Sequence, residues 1–441
     1  MNVPQRTKNS RYLISIGIIG ALFFVFGFVT WLNGILIPYL QISCELTSFQ
    51  AVFVAFAFYI SYTLMALPSY RILEKTGFKS GIMLGLVIMA LGTLIFVPAA
   101  LLRTFPIFLL GLFVMGTGLA LLQTAVNPYI TILGRRETAT VRLSIMGICN
   151  NLAGAIGPLI LAYYILNDGD AFVAGLKSMD AAAQTHALDG LARRVIAPYL
   201  TMTITLLALG ILIKFSPLPE VEEEKEDADN KTDTMNSIFQ YPHLILGVLA
   251  LFFYVGAEVI AGNTIVGYGL SLGVPIDSAK SYTTLVMITM LIGYVLGILL
   301  IPKVVTYHKV LTISAVLGMV FTFSALIVPS SITMTLPFVE IQLPYTIMFI
   351  ALLGLSNSLI WPAIWPLAIH NLGSFIKLGS AMMIMAIAGG AILPLIWGYL
   401  SDKWSAQQAY WVLVPAYLVI LFYSGFGYKV RFWKRQVKRY L

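Results

Sequence analysis

Long apolar stretches alternate with short polar connections along the whole chain. Each stretch holds at least 20 residues with almost no charge inside it, and a helix of about 20 residues crosses the roughly 30 Å hydrocarbon core of a bilayer. The pattern therefore predicts an all-α membrane protein with twelve transmembrane helices. They cover residues 12–40, 49–73, 79–101, 104–131, 141–166, 195–215, 243–270, 280–301, 309–329, 341–369, 376–400 and 408–427.

Composition and charge agree with that prediction. Hydrophobic residues make up 59% of the chain and charged residues 10%, whereas soluble domains carry about 25% charged residues. Soluble enzymes and single-span receptors are therefore excluded. The net charge of +8 does not indicate a nucleic-acid partner, because no basic face exists outside the segments that flank the spans.

The distribution of lysine and arginine predicts the orientation. With the N-terminus in the cytoplasm, 21 of the 27 basic residues fall on the cytoplasmic side and six on the external side. Positive residues favour the cytoplasmic side of a membrane. We therefore expect both termini in the cytoplasm, a multi-pass location in the cell inner membrane, and contact with the lipid bilayer around the bundle.

The twelve spans divide into two sets of six. Residues 216–242 carry eight acidic residues against two lysines, and such a segment cannot bury apolar surface. It predicts a cytoplasmic linker between an N-terminal bundle, residues 1–215, and a C-terminal bundle with a basic tail, residues 243–441. The longest external segment, residues 167–194, has apolar residues at helical spacing, which predicts a surface helix acting as a lid or as a structural cap.

An internal repeat supports the division into halves. When the chain is shifted by 236 residues, Gly154-Ala155-Ile156 of the fifth span falls on Gly390-Ala391-Ile392 of the eleventh. Parallel repeats of six helices are typical of transporters that rock two halves around a central site. We therefore expect pseudo-two-fold symmetry, with chance similarity between apolar stretches as the alternative.

Glu258 is the only acidic residue well inside a predicted span. A buried carboxylate costs about 3 kcal/mol on insertion scales, so it marks a functional site or a neutralised structural group. We predict that Glu258 binds the coupling ion. Asn263 lies five residues further along the same helix, and we expect it to line the same cavity.

Amides form a second group of candidate residues. Gln123 and Asn127 share one face of the fourth helix because they are four residues apart, and Asn150 of the fifth helix lies at a similar depth. An amide both donates and accepts hydrogen bonds, as sugar hydroxyls require. Hydrogen bonding between helices is the alternative role.

Asn357 and Trp361 repeat the four-residue spacing in the tenth helix. The indole offers an apolar face on which a sugar ring can stack, and the alternative is a place in the aromatic belt at the membrane surface. Asn33 of the first helix completes the predicted substrate-binding set. We expect these residues to bind cargo between the two halves.

The sequence offers no motif of an enzyme or a metal site. It has no phosphate-binding loop and no dinucleotide glycine fingerprint. Its four histidines lie at separate helix ends and loops, and its two cysteines, Cys44 and Cys149, are isolated. We therefore expect no enzymatic activity, no metal and no cofactor, and transport that is driven by an ion gradient or runs downhill.

Five runs of the sequence are distinctive: LNGILIPYL (32–40), LQTAVNPYITILG (122–134), YVGAEV (254–259), NSLIWPAIWPLAI (357–369) and GSAMMIMAIAGGAILPLIWGYLSD (379–402). Together they resemble the fucose and glucose/galactose permease family of the major facilitator superfamily. The resemblance covers nearly the whole chain, in order. It implies the major facilitator fold, alternating access, and uptake of a monosaccharide coupled to a cation, usually a proton.

The family's site residues carry over in part. The resemblance implies acids in fucose permeases where this chain has Gly34 and Gln123, and a helix-five asparagine at Asn150. The glucose/galactose branch is similar in having glutamine at the Gln123 position and glutamate at the Glu258 position. That branch often keeps the acid in helix one, so Gly34 is a departure, and Glu258 is the coupling candidate that remains.

The chain is therefore predicted to be a secondary transporter for a monosaccharide of the glucose/galactose type. We expect a proton or sodium symporter that works as a monomer. The alternative cargoes are an amino sugar, fucose or another polar solute, and a uniporter is the alternative mechanism. A multidrug exporter would need a larger, more apolar cavity, and a membrane enzyme or sensor would act without solute flux.

Overall fold

The computed structural model describes residues 5–132, 139–216, 237–301, 305–335, 342–372, 375–431 and 433. In this part of the chain, 11 helical segments are long and apolar enough to cross a membrane. The longest, Ser48–Leu101, has 54 residues and contains two of the predicted stretches. Dividing it gives twelve crossings, so the predicted all-α fold with twelve transmembrane helices is confirmed.

The division of the longest segment falls at Gly77. This residue has φ 76° and ψ 169°, a backbone conformation that glycine adopts at little cost because it has no Cβ. The chain reverses there, and the two arms pack on each other, since a Cβ on Gly81 would collide with the side chain of Leu73. The second and third crossings are thus joined by a single tight bend.

The helices of the N-terminal half supply the first six crossings. In chain order they are α1 (Gln5–Trp31), α2 (Asn33–Ser43), α3 (Ser48–Ala51), α4 (Phe53–Leu101), α5 (Phe105–Ile132), α6 (Ala139–Ile165), α7 (Gly169–Leu176), α8 (Ala181–Arg193) and α9 (Ile196–Phe215). Helices α1 and α2 form the first crossing, α4 forms the second and third, and α5, α6 and α9 form the next three. Helices α7 and α8 lie in the connection between the fifth and sixth crossings.

The helices of the C-terminal half supply the other six crossings. In chain order they are α10 (Pro242–Ser271), α11 (Ile276–Ala279), α12 (Tyr282–Leu300), α13 (Tyr307–Ile327), α14 (Tyr345–Asn357), α15 (Ile360–Ala368), α16 (Ile376–Met385), α17 (Gly389–Lys403) and α18 (Leu413–Gly425). A 3-10 turn, Ala386–Ala388, joins α16 to α17. Strands β1 (Thr333–Thr335) and β2 (Gln342–Pro344) form an antiparallel hairpin before α14, which the sequence analysis did not predict.

Three crossings are interrupted inside the membrane-spanning region. The breaks lie between α1 and α2, between α14 and α15, and between α16 and α17. Between α14 and α15 the cause is Pro362, which cannot donate a backbone hydrogen bond and whose ring clashes with the carbonyl of Ser358 in a regular helix. The crossing predicted over residues 341–369 is therefore present as Tyr345–Ala368, with an interruption that the sequence analysis did not predict. Broken helices within a membrane are tolerated where they are buried in protein or line a cavity.

The long segment after the fifth crossing forms two helices, so the prediction of a single surface helix is wrong. Helix α8 starts afresh because the Asp180 carboxylate caps it and accepts the Ala183 N–H at 2.8 Å. At its other end, the Tyr39 hydroxyl of α2 donates to the Leu191 carbonyl at 2.8 Å and so satisfies a carbonyl that the helix leaves free. Helix α8 is thereby fixed to the N-terminal half.

An ion pair joins the two ends of the segment that contains α7 and α8. The Arg194 guanidinium binds the Asp168 carboxylate through both oxygens and holds the pKa of Asp168 below its usual range. The pair therefore contributes stability at neutral pH, and this contribution is lost as the pH falls through the lowered pKa. Both side chains are partly exposed, so the contribution is small.

We define the outer face as the surface that carries α7, α8, α11 and the hairpin, and the inner face as the opposite surface. At the outer face, the Asp170 carboxylate of α7 accepts the backbone N–H groups of Ile276 at 2.8 Å and Asp277 at 3.1 Å. The Lys280 ammonium also donates to the Leu166 carbonyl at 3.3 Å. These contacts join the N-terminal half to the C-terminal half.

Two further hydrogen bonds between the halves lie on the outer side. The Phe49 N–H donates to the Asp402 carboxylate at 3.0 Å, and the Thr284 hydroxyl donates to the Ala155 carbonyl at 2.9 Å. A deeper one runs from the Thr63 hydroxyl to the Met385 carbonyl at 3.3 Å. Among the described residues, hydrogen bonds between the halves thus occur at the outer face and near mid-span, and the structure is closed to the outside.

The acidic linker, predicted over residues 216–242, falls largely outside the described residues, which leave out 217–236. Helix α10 begins at Pro242, next to the predicted start of the C-terminal bundle. The two-bundle organisation follows from the fold, and the exact domain limits stay predictions.

Replacing Asp170 by alanine is expected to favour opening of the outer face. The substitution removes two hydrogen bonds from a carboxylate to backbone N–H groups of the other half, which together stabilise closure by about 1–3 kcal/mol. The measurement is the distance between spin labels on Leu102 of the N-terminal half and Ser331 of the C-terminal half. Both residues are exposed at the outer face. Cys44 and Cys149 are replaced by serine so that only the introduced cysteines are labelled.

We expect a longer mean distance in Asp170→Ala. The matched control is Asp180→Ala, which removes a carboxylate from the same segment whose bond lies within the N-terminal half. Equal distances in Asp170→Ala and in the control would mean that the Asp170 contact does not hold the face closed.

Candidate functional site

Glu258 lies in the middle of α10, at the meeting point of the two halves. The Tyr254 hydroxyl, one turn earlier, donates to its carboxylate at 2.8 Å. Tyr59 of α4, Tyr294 of α12 and Tyr417 of α18 lie within electrostatic range. Since the Tyr254 side chain that binds it is 1% exposed, the carboxylate faces the protein interior and not the lipid. It makes no ion pair among the described residues.

Part of the Glu258 side chain is nevertheless accessible to solvent. A carboxylate that is enclosed by other side chains and still accessible borders an internal space. Three other predicted site residues have the same partial accessibility: Gln123, Asn150 and Trp361. These four residues are therefore less tightly enclosed than Asn33, Asn263 and Asn357.

Gln123 and Asn150 lie on the N-terminal side of the site. The Gln123 amide donates to the Tyr62 hydroxyl at 3.3 Å. The Asn150 carbonyl oxygen accepts the Trp31 indole N–H at 3.4 Å, and its amide donates to the Phe23 carbonyl at 3.4 Å. These bonds are long, and hydrogen bonds weaken with length, so ligand hydroxyls could replace them at low cost.

The position of Asn150 depends on a glycine in the first crossing. A Cβ on Gly27 would collide with the backbone carbonyl oxygen of Asn150. Helices α1 and α6 therefore come close together only because residue 27 has no side chain. Small residues at such crossings are common in membrane proteins, and here the close approach brings the Asn150 amide against α1.

Asn33 and Asn263 face each other from the two halves, with Tyr59 beside both. Each asparagine is 1% exposed. The Asn33 amide donates to the Thr30 carbonyl at 3.1 Å, while the Tyr59 hydroxyl lies close to both asparagines but makes no hydrogen bond of good geometry with them, and neither does the Asn263 side chain with any group. Buried polar groups are nearly always paired, so unpaired groups at one place indicate a site for water or ligand hydroxyls.

Asn357 and Trp361 flank the break between α14 and α15. The Asn357 carbonyl oxygen accepts the Tyr417 hydroxyl at 2.9 Å, and its amide nitrogen has no partner. The Trp361 ring stacks on Trp365 at 5.4 Å between centroids and lies 6.5 Å from the Tyr254 ring. An aromatic row thus leads along α15 to the tyrosine that holds Glu258.

The structure gathers the predicted residues into one region through tyrosine and tryptophan. Tyr59 links Asn33 and Asn263, Tyr417 lies between Asn357 and Glu258, and Tyr254 lies between Trp361 and Glu258. The side chain of Asn127 lies outside the described part of the structure, so its predicted role stays a prediction.

The sequence analysis missed the aromatic part of this region. It overlooked the following side chains: Trp31, Tyr59, Tyr62, Tyr254, Tyr294 and Tyr417. A signal existed, because Tyr254 precedes Glu258 by four residues and Tyr59 precedes Tyr62 by three, and such pairs share a helix face. Tyrosine was counted with the apolar residues of the spans, although its hydroxyl needs a partner when buried.

Comparison with known proteins agrees with this architecture. The family model described as Major Facilitator Superfamily matches residues 19–389. The chain belongs to the major facilitator superfamily. It is therefore a multi-pass membrane transporter, built from two bundles around a central region.

Relatives in this superfamily extend over nearly the whole chain. The "Glucose/galactose transporter" of Brucella abortus is 32% identical over 435 residues, covering 97% of this chain and 98% of the relative. The "L-fucose-proton symporter" of Escherichia coli is 28% identical over 409 residues, covering 90% of this chain and 88% of the relative. This chain is thus similar to named sugar transporters from end to end.

A solved structure supports the fold. The crystal structure of the major facilitator transporter FucP in the outward conformation matches with a TM-score of 0.71 at 27% identity, covering 94% of this chain and 98% of that one. The outer face of the present chain is closed by the contacts described above, whereas the FucP structure is in its outward conformation.

Replacing Tyr417 by phenylalanine is expected to destabilise the protein. It would leave both polar atoms of Asn357 without a partner in a buried place, which costs about 1–3 kcal/mol. The measurement is the thermal unfolding midpoint in detergent. The control is Tyr163→Phe, because that side chain is 66% exposed. Equal midpoints for the two variants would contradict a structural bond between Tyr417 and Asn357.

Proposed function

We propose that this transporter takes up a monosaccharide of the glucose/galactose type across the inner membrane by alternating access, together with a proton or sodium ion. The observation that carries the proposal is a group of buried amides and tyrosine hydroxyls, several of them unpaired, around one carboxylate between the two halves. Such a group can replace the water around a small polyhydroxylated cargo.

The chemistry of the side chains supports a sugar. Gln123, Asn150, Asn263 and Asn357 each carry a donor and an acceptor, and a sugar hydroxyl can use both. Trp361 adds an aromatic face beside them. The relatives named for glucose and galactose support that cargo, and the fucose-proton symporters support fucose as the second candidate. An amino sugar or another polar solute would need the same donors and acceptors.

Glu258 is the proposed site of ion coupling. Among the described residues it has no cationic partner, so a proton or a bound cation would have to neutralise it at this depth. Crowding at Gly34 supports Glu258 as the coupling residue, because it leaves no room for the acid that the resemblance implies in the first crossing of related transporters. A Cβ on Gly34 would lie 2.5 Å from the Thr283 hydroxyl oxygen and 3.1 Å from the Gly262 carbonyl oxygen. With the outer face closed, that position of the first crossing has no space for an acidic side chain.

The proposed site needs a single chain. Both of its walls come from the same polypeptide, which supports a working monomer. The expected topology keeps both termini in the cytoplasm, and the bilayer surrounds the apolar outer surface of the bundle.

Uptake into proteoliposomes tests the cargo and the ion together. Labelled glucose, galactose, fucose and N-acetylglucosamine are supplied with a proton gradient, a sodium gradient or neither. We expect concentrative uptake of glucose or galactose with one gradient. If only fucose or only the amino sugar is concentrated, that sugar becomes the assigned substrate. Equilibration without concentration would indicate a uniporter. No flux of any sugar would overturn the proposal.

Glu258→Gln tests the coupling role. The amide keeps the size and hydrogen bonding of the side chain but cannot take up a proton or balance a cation. We expect loss of uphill accumulation with retained exchange of labelled for unlabelled sugar. The control is Glu74→Gln, whose side chain is exposed at the inner face. Undiminished concentrative uptake in Glu258→Gln would remove this residue from the coupling step.

A further inference from the structure

Trp31, the last residue of α1, lies between two glycines from different halves. A Cβ on Gly154 of α6 would lie 2.9 Å from the Trp31 Cγ atom, and a Cβ on Gly262 of α10 would lie 3.0 Å from its Cε3 atom and collide with Cζ3. The five-membered ring thus rests on the N-terminal half and the six-membered ring on the C-terminal half. The indole is 4% exposed.

Tyr59 of α4 reaches across the same interface. A Cβ on Gly390 of α17 would lie 3.1 Å from the Tyr59 Cγ atom and 2.9 Å from the Val259 Cγ2 atom of α10, so the Tyr59 ring packs against Gly390 and Val259 of the C-terminal half. Its hydroxyl is buried beside Asn33 and Asn263 and makes no hydrogen bond of good geometry with them. Gly390 and Gly154 occupy equivalent positions of the internal repeat, and each of them therefore lies against an aromatic side chain of the N-terminal half.

Both aromatic side chains lie nearer the outer face than Glu258, at the depth of Asn33 and Asn263. Gly262 is four residues beyond Glu258, which is one turn, or about 6 Å, nearer the outer face along α10. The Trp31 N–H points to Asn150, at 3.4 Å, and Tyr59 lies within electrostatic range of Glu258. Each ring thus contacts a predicted site residue on one side and closes the interface on the other.

We propose that Trp31 and Tyr59 form the outer wall of the substrate site, and that Gly262 and Gly390 are the positions on which this wall closes. The proposal rests on the proposed function for the nature of the cargo. In the closed state the indole N–H and the phenol hydroxyl are positioned toward the sugar hydroxyls. Opening of the outer face lifts both rings off the two glycines and admits the cargo.

The two glycines therefore set the balance between the closed and open states. A methyl group added at Gly262 would clash with the indole of Trp31. A shift of the indole cannot relieve this clash, because the other edge of the ring already lies against the backbone of Gly154. When the outer face is open, the rings have left and the methyl group has space. A single alanine at this position thus penalises the closed state alone, and overpacking of this kind shifts the ratio of the two states by about tenfold or more.

The test combines Gly262→Ala with a smaller side chain at Trp31. Spin labels on Leu102 and Ser331, in the chain without native cysteines, report the opening of the outer face in the full protein in nanodiscs. Gly267→Ala is the matched control, because it lies on the same helix and a Cβ there meets nothing within 4 Å. The rescue variant carries Gly262→Ala and Trp31→Leu together.

We expect a longer distance in Gly262→Ala, the unaltered distance in Gly267→Ala, and a return toward the unaltered distance in the rescue variant. An unchanged distance in Gly262→Ala would overturn the proposal, and so would a longer distance that Trp31→Leu does not relieve. Gly390→Ala repeats the test at the second glycine in a Val259→Ala background, because the Val259 Cγ2 atom of the same half would lie 2.9 Å from the added Cβ. Tyr59→Leu is the rescue there, and this set decides the matter if Gly262→Ala does not fold. These distances are measured without sugar, so they stand apart from the flux experiment.

A transport measurement tests the positioning role of the wall. We expect Trp31→Phe, which keeps an aromatic ring but lacks the N–H, to raise the sugar concentration for half-maximal uptake several-fold while leaving the maximal rate within about twofold, since one hydrogen bond contributes about 0.5–1.5 kcal/mol. An unchanged half-maximal concentration would limit Trp31 to closing the interface and overturn its role in positioning the sugar.

Discussion

The whole arrangement depends on one constraint: polar groups at membrane depth must find their partners within the protein. Glu258 meets this constraint through the hydrogen bond that its carboxylate accepts from the Tyr254 hydroxyl. Asn263, Tyr59 and the amide nitrogen of Asn357 meet it only in part. Incomplete pairing at this depth is costly, and a polar cargo that bonded these groups would recover that cost.

The two halves differ in charge where they meet. Both supply amides and aromatic rings, such as Gln123 and Trp31 from the N-terminal half and Asn357 and Trp361 from the C-terminal half, whereas the carboxylate of Glu258 comes from the C-terminal half. The interface is therefore asymmetric. Under the proposed function, movement of one half against the other would change the surroundings of Glu258 and of the amides in the same step, as coupling of an ion to a cargo requires.

The sequence predicts the membrane-spanning pattern well because burial in lipid imposes length and apolarity on every crossing. Twelve crossings, the two halves and the polar residues between them follow from that pattern. The breaks in helices were not predicted, although Pro362 explains one of them, because proline is common in membrane helices and does not always interrupt them. The turn at Asp180 and the hairpin at Thr333 depend on local capping and pairing that hydrophobicity does not record.

The aromatic residues of the site could not be predicted from the pattern of polar and apolar residues. Tyr59, Tyr62, Tyr254, Tyr294 and Tyr417 fit an apolar helix face as easily as a binding site, and only their hydroxyl contacts distinguish the two roles. The amides and the single acid stood out because each is unusual within a span. Depth along a helix could be counted from the sequence, whereas the direction of a side chain toward the other half required the packing of all twelve crossings.

The bend at Gly77 has a consequence for how the protein is made. Because the second and third crossings are joined without an intervening loop, they form a helical hairpin whose two arms pack directly on each other. Arg71, Lys75 and Lys79 flank the bend, and positive charges of this kind resist translocation. Two crossings joined so tightly can enter the bilayer as one unit, with the basic residues at the tip opposing its passage through the membrane.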